Sequence, residues 1–139
     1  MEIHCIRKPV DMPFCLEMKV RDYECDMQGI VNNAIYQHYL EHARHEFLLS
    51  RGLNFAELTA AGVIIVVAKA ELDYRRPLRA GDLFEVSVEV RRPSKLRIVF
   101  DQEIRLGSGG ELALKASITA TAVNARGRPY FSEKLAALL

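Results

Sequence analysis

The segment Tyr23-Glu24-Cys25-Asp26-Met27-Gln28-Gly29-Ile30-Val31-Asn32-Asn33-Ala34-Ile35-Tyr36 sets an ionisable side chain, Asp26, in a tight glycine-containing loop that runs straight into an amphipathic stretch. At the start of a helix the first backbone N–H groups have no intrahelical acceptor, and the helix dipole adds partial positive charge there. A carboxylate and a receptor for developing negative charge within a few residues of each other form a compact apparatus for attack on a carbonyl. Asp is equally at home as a turn residue or a capping carboxylate. The residues of this loop by themselves leave both readings open.

Working outward, Asn32 is a plausible N-cap for a helix from about Asn33 to Ser50. Tyr36, Tyr39, Leu40, Ala43 and Phe47 recur on it at helical spacing, and Arg51-Gly52 supplies the stop. A short second helix is expected over Asn54 to Ala61. Before the loop, Phe14, Leu16, Met18 and Val20 alternate with polar positions and read as a first strand. Past Gly62 the periodicity changes to two. A β-branched run from Val63 leads into Ala70, Leu72 and Tyr74, and Pro77 and Gly81-Asp82 mark a turn. Phe84, Val86, Val88 and Val90 define a further strand, Pro93-Ser94 a turn, and Leu96, Ile98, Phe100 and Ile104 the next strand. Gly107 to Gly110 is a hairpin loop, and Leu112 to Ala122 a last long strand. One long apolar helix among hairpin-connected strands is an α+β pattern, with a curved antiparallel sheet able to wrap the helix.

A chain of 139 residues suits one domain, residues 1–139, with 1–13 as an N-terminal arm carrying Pro9 and Pro13. A formal charge of +1 gives no global electrostatic case for nucleic acid or an anionic membrane. The apolar run Ala60 to Ala68 is too short to span a bilayer, and Met1-Glu2-Ile3-His4 opens no signal peptide. Three cysteines without metal-type spacing argue against a disulfide framework and for a cytoplasmic setting. Cys25 beside Asp26 reads as a small buried hydrophobe, since no activating base is evident.

Asp26, Gly29, the Val31-Asn32-Asn33 run, Tyr36 and the helical Tyr39-Leu40-Glu41-His42-Ala43-Arg44 resemble the signature of the hotdog-fold acyl-CoA thioesterases, and most nearly the 4-hydroxybenzoyl-CoA thioesterase branch. Tyr74-Arg75-Arg76-Pro77-Leu78-Arg79-Ala80-Gly81-Asp82 is a second matching segment, and the resemblance extends from about Phe14 to Val123. It implies a curved antiparallel sheet around one central helix, a homodimer or homotetramer with sites between subunits, and hydrolysis of an acyl-CoA to the free acid and CoA. Neither cofactor nor metal is implied. The catalytic carboxylate of this branch matches Asp26, which would attack the thioester carbonyl directly or activate a water. Another branch carries its catalytic glutamate on the central helix, which makes Glu41 the reserve carboxylate. The Val31-Asn32-Asn33 run is also similar to acyl-acyl carrier protein thioesterases of the same fold, so that carrier is an alternative to CoA. A non-catalytic acyl-thioester binding module is a further alternative, in which Asp26 does no chemistry.

Gly29, Ile30 and Val31 would serve through their backbone N–H groups as an oxyanion receptor. Asn32 and Asn33, counted among the substrate-binding candidates, could cap the helix, hydrogen-bond across a subunit interface or position a water, and Tyr36, Tyr39 and Ile30 are candidates to touch the acyl group. If the ligand is a CoA thioester, its phosphates need cations, and Arg91, Arg92 and Lys95 around the Pro93 turn are the expected partners, with Ser94 near the pantetheine arm. His38, His42 and His45 fall on one helix face, a spacing able to hold a metal, but without an HExxH pattern they read as a polar face.

Overall fold

The computed structural model describes residues 14–131 and 133–136; the arm expected at 1–13 lies outside them. In chain order the elements are β1 (Phe14–Lys19), a 3-10 turn (Asp22–Glu24), α1 (Ile35–Ser50), α2 (Phe55–Ala60), β2 (Ile64–Tyr74), β3 (Leu83–Ser94), β4 (Arg97–Leu106), β5 (Leu112–Val123) and α3 (Glu133–Ala136). The strands form one antiparallel sheet in the order β1-β3-β4-β5-β2. The short 3-10 turn and α3 carry too little periodicity to be read from sequence.

Period-two alternation puts Phe84, Val86, Val88, Ile98, Phe100, Ile104, Leu114, Ile118 and Ala120 on one buried face. That face receives the stripe Tyr36, Tyr39, Leu40, Ala43 and Phe47 of α1, with Tyr39 and Phe84 ring centroids 4.7 Å apart and Phe14 and Phe47 at 5.7 Å. A fully enclosed aliphatic side chain such as Leu40 contributes about 1.5–3 kcal/mol, so the stripe is what holds the helix on the sheet. One polar residue sits in this layer. Gln102 is buried on β4, donating from Nε2 to the Leu40 carbonyl (3.0 Å) and accepting from Arg44 Nη1 (3.0 Å). Both halves of its amide are satisfied, which is what makes its burial tolerable. Burial pulls the Arg44 guanidinium below its ordinary value, against the opposing pull of Glu41.

Local departures from the sequence expectation have simple causes. The helix begins at Ile35, two residues late, because the Ile35 N–H closes a 3-10 bond to the Asn32 carbonyl (2.9 Å) while Asn32 Oδ1 takes the Ala34 N–H (2.9 Å). Strand β3 runs through Pro93, with a register shift between Arg91 and Ser94 taking up the missing donor, so the turn falls at Lys95-Leu96. Cys25 is a free, half-buried thiol. Strand β2 is the sheet edge beyond β5, and its apolar run stays open, with Val66 and Val67 39% and 52% exposed. Among the described residues no helix is long and apolar enough to cross a membrane.

Candidate active site

The loop around Asp26 is a small hairpin. The Asp26 N–H donates to the Ile30 carbonyl (2.9 Å), the Gly29 N–H to the Asp26 carbonyl (3.0 Å), and Cys25 and Val31 face each other as an antiparallel bridge. Gly29 closes it at φ +79°, the left-handed conformation that side-chain-bearing residues avoid. Asp26 Oδ1 accepts the Gln28 N–H (2.8 Å), so one carboxylate oxygen is tied into the turn. The turn holds the carboxyl group in place, and Asp26 through Gly29 are exposed.

Three tyrosines fasten this loop to the body of the protein. Tyr39 donates its hydroxyl to Glu24 Oε1 (2.8 Å) at the start of the loop. Tyr36 accepts the Leu78 N–H on its hydroxyl (3.0 Å), and the Leu78 carbonyl in turn accepts the Val31 N–H (2.8 Å). Tyr74, at the end of β2, donates to the Asn33 carbonyl (3.0 Å) ahead of α1. The rings are in edge contact in sequence, with Tyr74 to Tyr36 centroids at 5.4 Å and Tyr36 to Tyr39 at 6.1 Å. Burial raises both the Tyr36 and Tyr39 phenols above the ordinary tyrosine value, and for Tyr39 the Glu24 carboxylate adds to the shift.

These contacts redistribute the expected roles. Tyr36 and Tyr39 are 4% and 1% exposed, so they are framework for the loop and have no surface to offer an acyl group. Of the three N–H groups expected to receive an oxyanion, that of Gly29 is occupied by the Asp26 carbonyl within the loop and that of Val31 by the Leu78 carbonyl. Among the described residues the Ile30 N–H has no acceptor, and neither does the Asn33 N–H, immediately ahead of α1. Asn32 is not the N-cap expected: that position is Ala34, which has no side-chain cap, and Asn32 Oδ1 instead closes an Asx turn onto the Ala34 N–H, since Ile35 is the first helical residue.

Glu41 lies on the exposed side of α1. His42 approaches Glu46 at 3.9 Å, and His45 is drawn onto Phe55 of α2 with centroids 4.6 Å apart. No group of three or more His, Cys, Asp or Glu side chains among the described residues is arranged to hold a metal ion.

The cationic turn is remote from Asp26 within one chain. The loop pairs with the segment leading into β3, through the Ile30–Arg79 bridge, whereas Arg91, Arg92, Ser94 and Lys95 lie at or just beyond the other end of that strand. Eleven residue steps of extended chain separate the two ends by about 36 Å. Arg91 is also paired with Asp101 (2.6 Å), and Arg92 donates to the Lys95 carbonyl (2.7 Å) with its guanidinium 3.8 Å from the Phe131 ring centroid. A cation that is beside the loop is Arg79, exposed and with no side-chain partner among the described residues.

Comparison with known proteins adds the following. A family model described as the thioesterase-like superfamily matches residues 20–139. A chloroplastic acyl-acyl carrier protein thioesterase of Arabidopsis thaliana is 40% identical over 114 residues, which are 82% of this chain and 60% of that protein. The long-chain acyl-CoA thioesterase FadM of Escherichia coli is 31% identical over 108 residues, 78% of this chain and 81% of that protein. A crystal structure of a hypothetical protein from Aquifex aeolicus superposes with a TM-score of 0.82 at 30% identity, covering 91% of this chain and 100% of that one. The chain spans only about 60% of the length of the Arabidopsis relatives it matches.

Proposed function

The chain belongs to the thioesterase-like superfamily and has its hotdog fold, and from that premise we propose that it hydrolyses an acyl thioester, with Asp26 as the reacting carboxylate. The observation that carries this reading is the exposed Asp26 side chain, tied into a hairpin by the Gln28 N–H a few residues ahead of a helix start whose Asn33 N–H has no acceptor among the described residues. Asp26 either removes a proton from the attacking water or itself adds to the thioester carbonyl, and in both routes charge builds on the carbonyl oxygen. The Asn33 and Ile30 N–H groups, without acceptors among the described residues, are the donors available to it, in place of Gly29 and Val31. The carbon–sulfur bond then breaks, and the thiolate leaves with little need of an acid; in the direct route the acyl group stays on Asp26 as a mixed anhydride, which water hydrolyses to the free acid and the carboxylate. Glu41 is the reserve.

The substrate is an acyl-CoA, with an acyl-acyl carrier protein as the second reading, favoured by the 40% identity to a plant enzyme of that name. A homodimer or homotetramer fits the open β2 edge, since an unpaired apolar strand is a template for a second copy. Pairing two β2 edges antiparallel about a two-fold axis sets the Ile64 end of one beside the Tyr74 end of the other. That brings the partner's β3–β4 end, with its Arg91–Lys95 turn, toward this chain's loop and Asp26.

The test is release of free thiol from acetyl-, hexanoyl-, palmitoyl-, benzoyl- and 4-hydroxybenzoyl-CoA and from an acyl carrier protein loaded with the same chains. Turnover identifies acyl class and carrier. Binding of these thioesters without any turnover would overturn hydrolysis in favour of a binding module.

A further inference from the structure

We infer that Tyr74 is a positioning residue for the reaction, holding the Asn33 amide in the orientation that receives the carbonyl oxygen. This rests on the hydrolase reading above. The Asn33 N–H shares a peptide plane with the Asn32 carbonyl, the Asn33 carbonyl belongs to the next plane, and both carbonyls are clamped. The Asn32 carbonyl accepts the Ile35 N–H at 2.9 Å, and the Asn33 carbonyl accepts the Tyr74 hydroxyl at 3.0 Å. Asn32 Oδ1 adds a third restraint by taking the Ala34 N–H at 2.9 Å. With the peptide planes on both sides of the Asn33 Cα held, the direction of the Asn33 N–H is set, and among the described residues it has no acceptor.

The first and third of these restraints are local, made within a few residues of Asn33. The second comes from 41 residues away, at the end of an edge strand. It acts on a residue that lies ahead of α1 and so gains nothing from the regular helical ladder. Tyr74 is itself 49% exposed, and its ring sits edge-on against Tyr36 at 5.4 Å. Its hydroxyl therefore serves orientation more than burial. A donor aimed before substrate arrives needs no reorganisation as charge develops, which is where such donors gain their effect. Tyr74 stabilises the transition state through Asn33 without touching the reacting atoms.

Tyr74→Phe keeps the ring contact with Tyr36 and removes only the hydrogen bond. Steady-state kinetics of wild type and variant on the best substrate, with thermal unfolding of both, test the assignment. Tyr130→Phe is the control, because Tyr130 is similarly exposed and its hydroxyl has no partner among the described residues. Tyr74→Phe should lower kcat about tenfold with KM held within about twofold, at an unchanged unfolding midpoint, while the control matches wild type. A variant as fast as wild type would overturn the inference. So would a rise in KM at constant kcat, which marks a substrate contact, or a loss of kcat that tracks a fall in the unfolding midpoint. A wild type inactive on every thioester would instead overturn the hydrolase reading, and this inference with it.

Discussion

The Tyr39 hydroxyl meets the Glu24 carboxylate at 2.8 Å, joining the middle of α1 to the residue two places before Asp26. Glu24 is 7% exposed, and the same carboxylate accepts the Arg21 N–H at 2.8 Å and pairs with the Arg21 guanidinium at 3.3 Å. Tyr39→Phe leaves that buried oxygen short of a donor and should cost about 1–3 kcal/mol. Urea unfolding of the variant and wild type measures it. A loss near zero would mean that the contact is not part of what holds the loop.

The same pair sets an alkaline limit. Tyr36 and Tyr39 are both raised above the unfolded tyrosine value of about 10, Tyr39 first by burial and then by Glu24. Above that pH the unfolded chain releases these protons before the folded one does, so the unfolded state binds fewer protons and stability falls as pH rises. Their contribution is intact below about pH 10. Unfolding free energy followed from pH 8 upward should decline past that point, and less steeply in Tyr39→Phe.

Asp26→Asn retains an oxygen to accept the Gln28 N–H, so the turn persists. Loss of the carboxylate should lower turnover roughly 10²–10⁴-fold if it acts as a general base, with near-normal unfolding. Thiol release by the purified variant decides it. Activity equal to wild type would transfer the role to Glu41.

Gly29→Ala separates backbone from contact. A Cβ built on Gly29 meets nothing within 4 Å, so the penalty is that of the positive φ alone. About 1–2 kcal/mol of stability should be lost, together with turnover, because the hairpin that presents Asp26 is what relaxes. A variant with full activity and the lowered midpoint would show that the hairpin's shape is unimportant to the chemistry.

Val67→Glu places a charge on the open β2 edge, where Val67 is 52% exposed. Sedimentation of wild type should show a dimer or tetramer, and the variant should shift to smaller species. An unshifted variant would place the subunit contact elsewhere.

Much of the fold was legible in the sequence. The alternation of Phe84, Val86 and Val88 and the helical spacing of Tyr36, Tyr39, Leu40 and Ala43 state their faces directly, because burial is decided by periods of two and 3.6. Pro93 misled, since a proline is tolerated where a strand's register shifts. Gln102 gave no warning of its burial, because the Leu40 carbonyl and Arg44 that satisfy it lie about 60 residues away in sequence.

From its own residues the chain determined the Asp26 loop, the glycine that closes it, the helix that follows and the strands around it, all products of local geometry. Tertiary structure decided what those parts are free to do. It enclosed Tyr36 and Tyr39 as loop supports, occupied the Val31 N–H group, left those of Ile30 and Asn33 without acceptors among the described residues, and set the Arg91–Lys95 turn at the far end of β3. The reason is distance along the chain. Whether a donor or a phenol is committed depends on partners such as Leu78 for Tyr36 and Tyr74 for Asn33, 42 and 41 residues apart, which only the folded sheet brings within 3.0 Å.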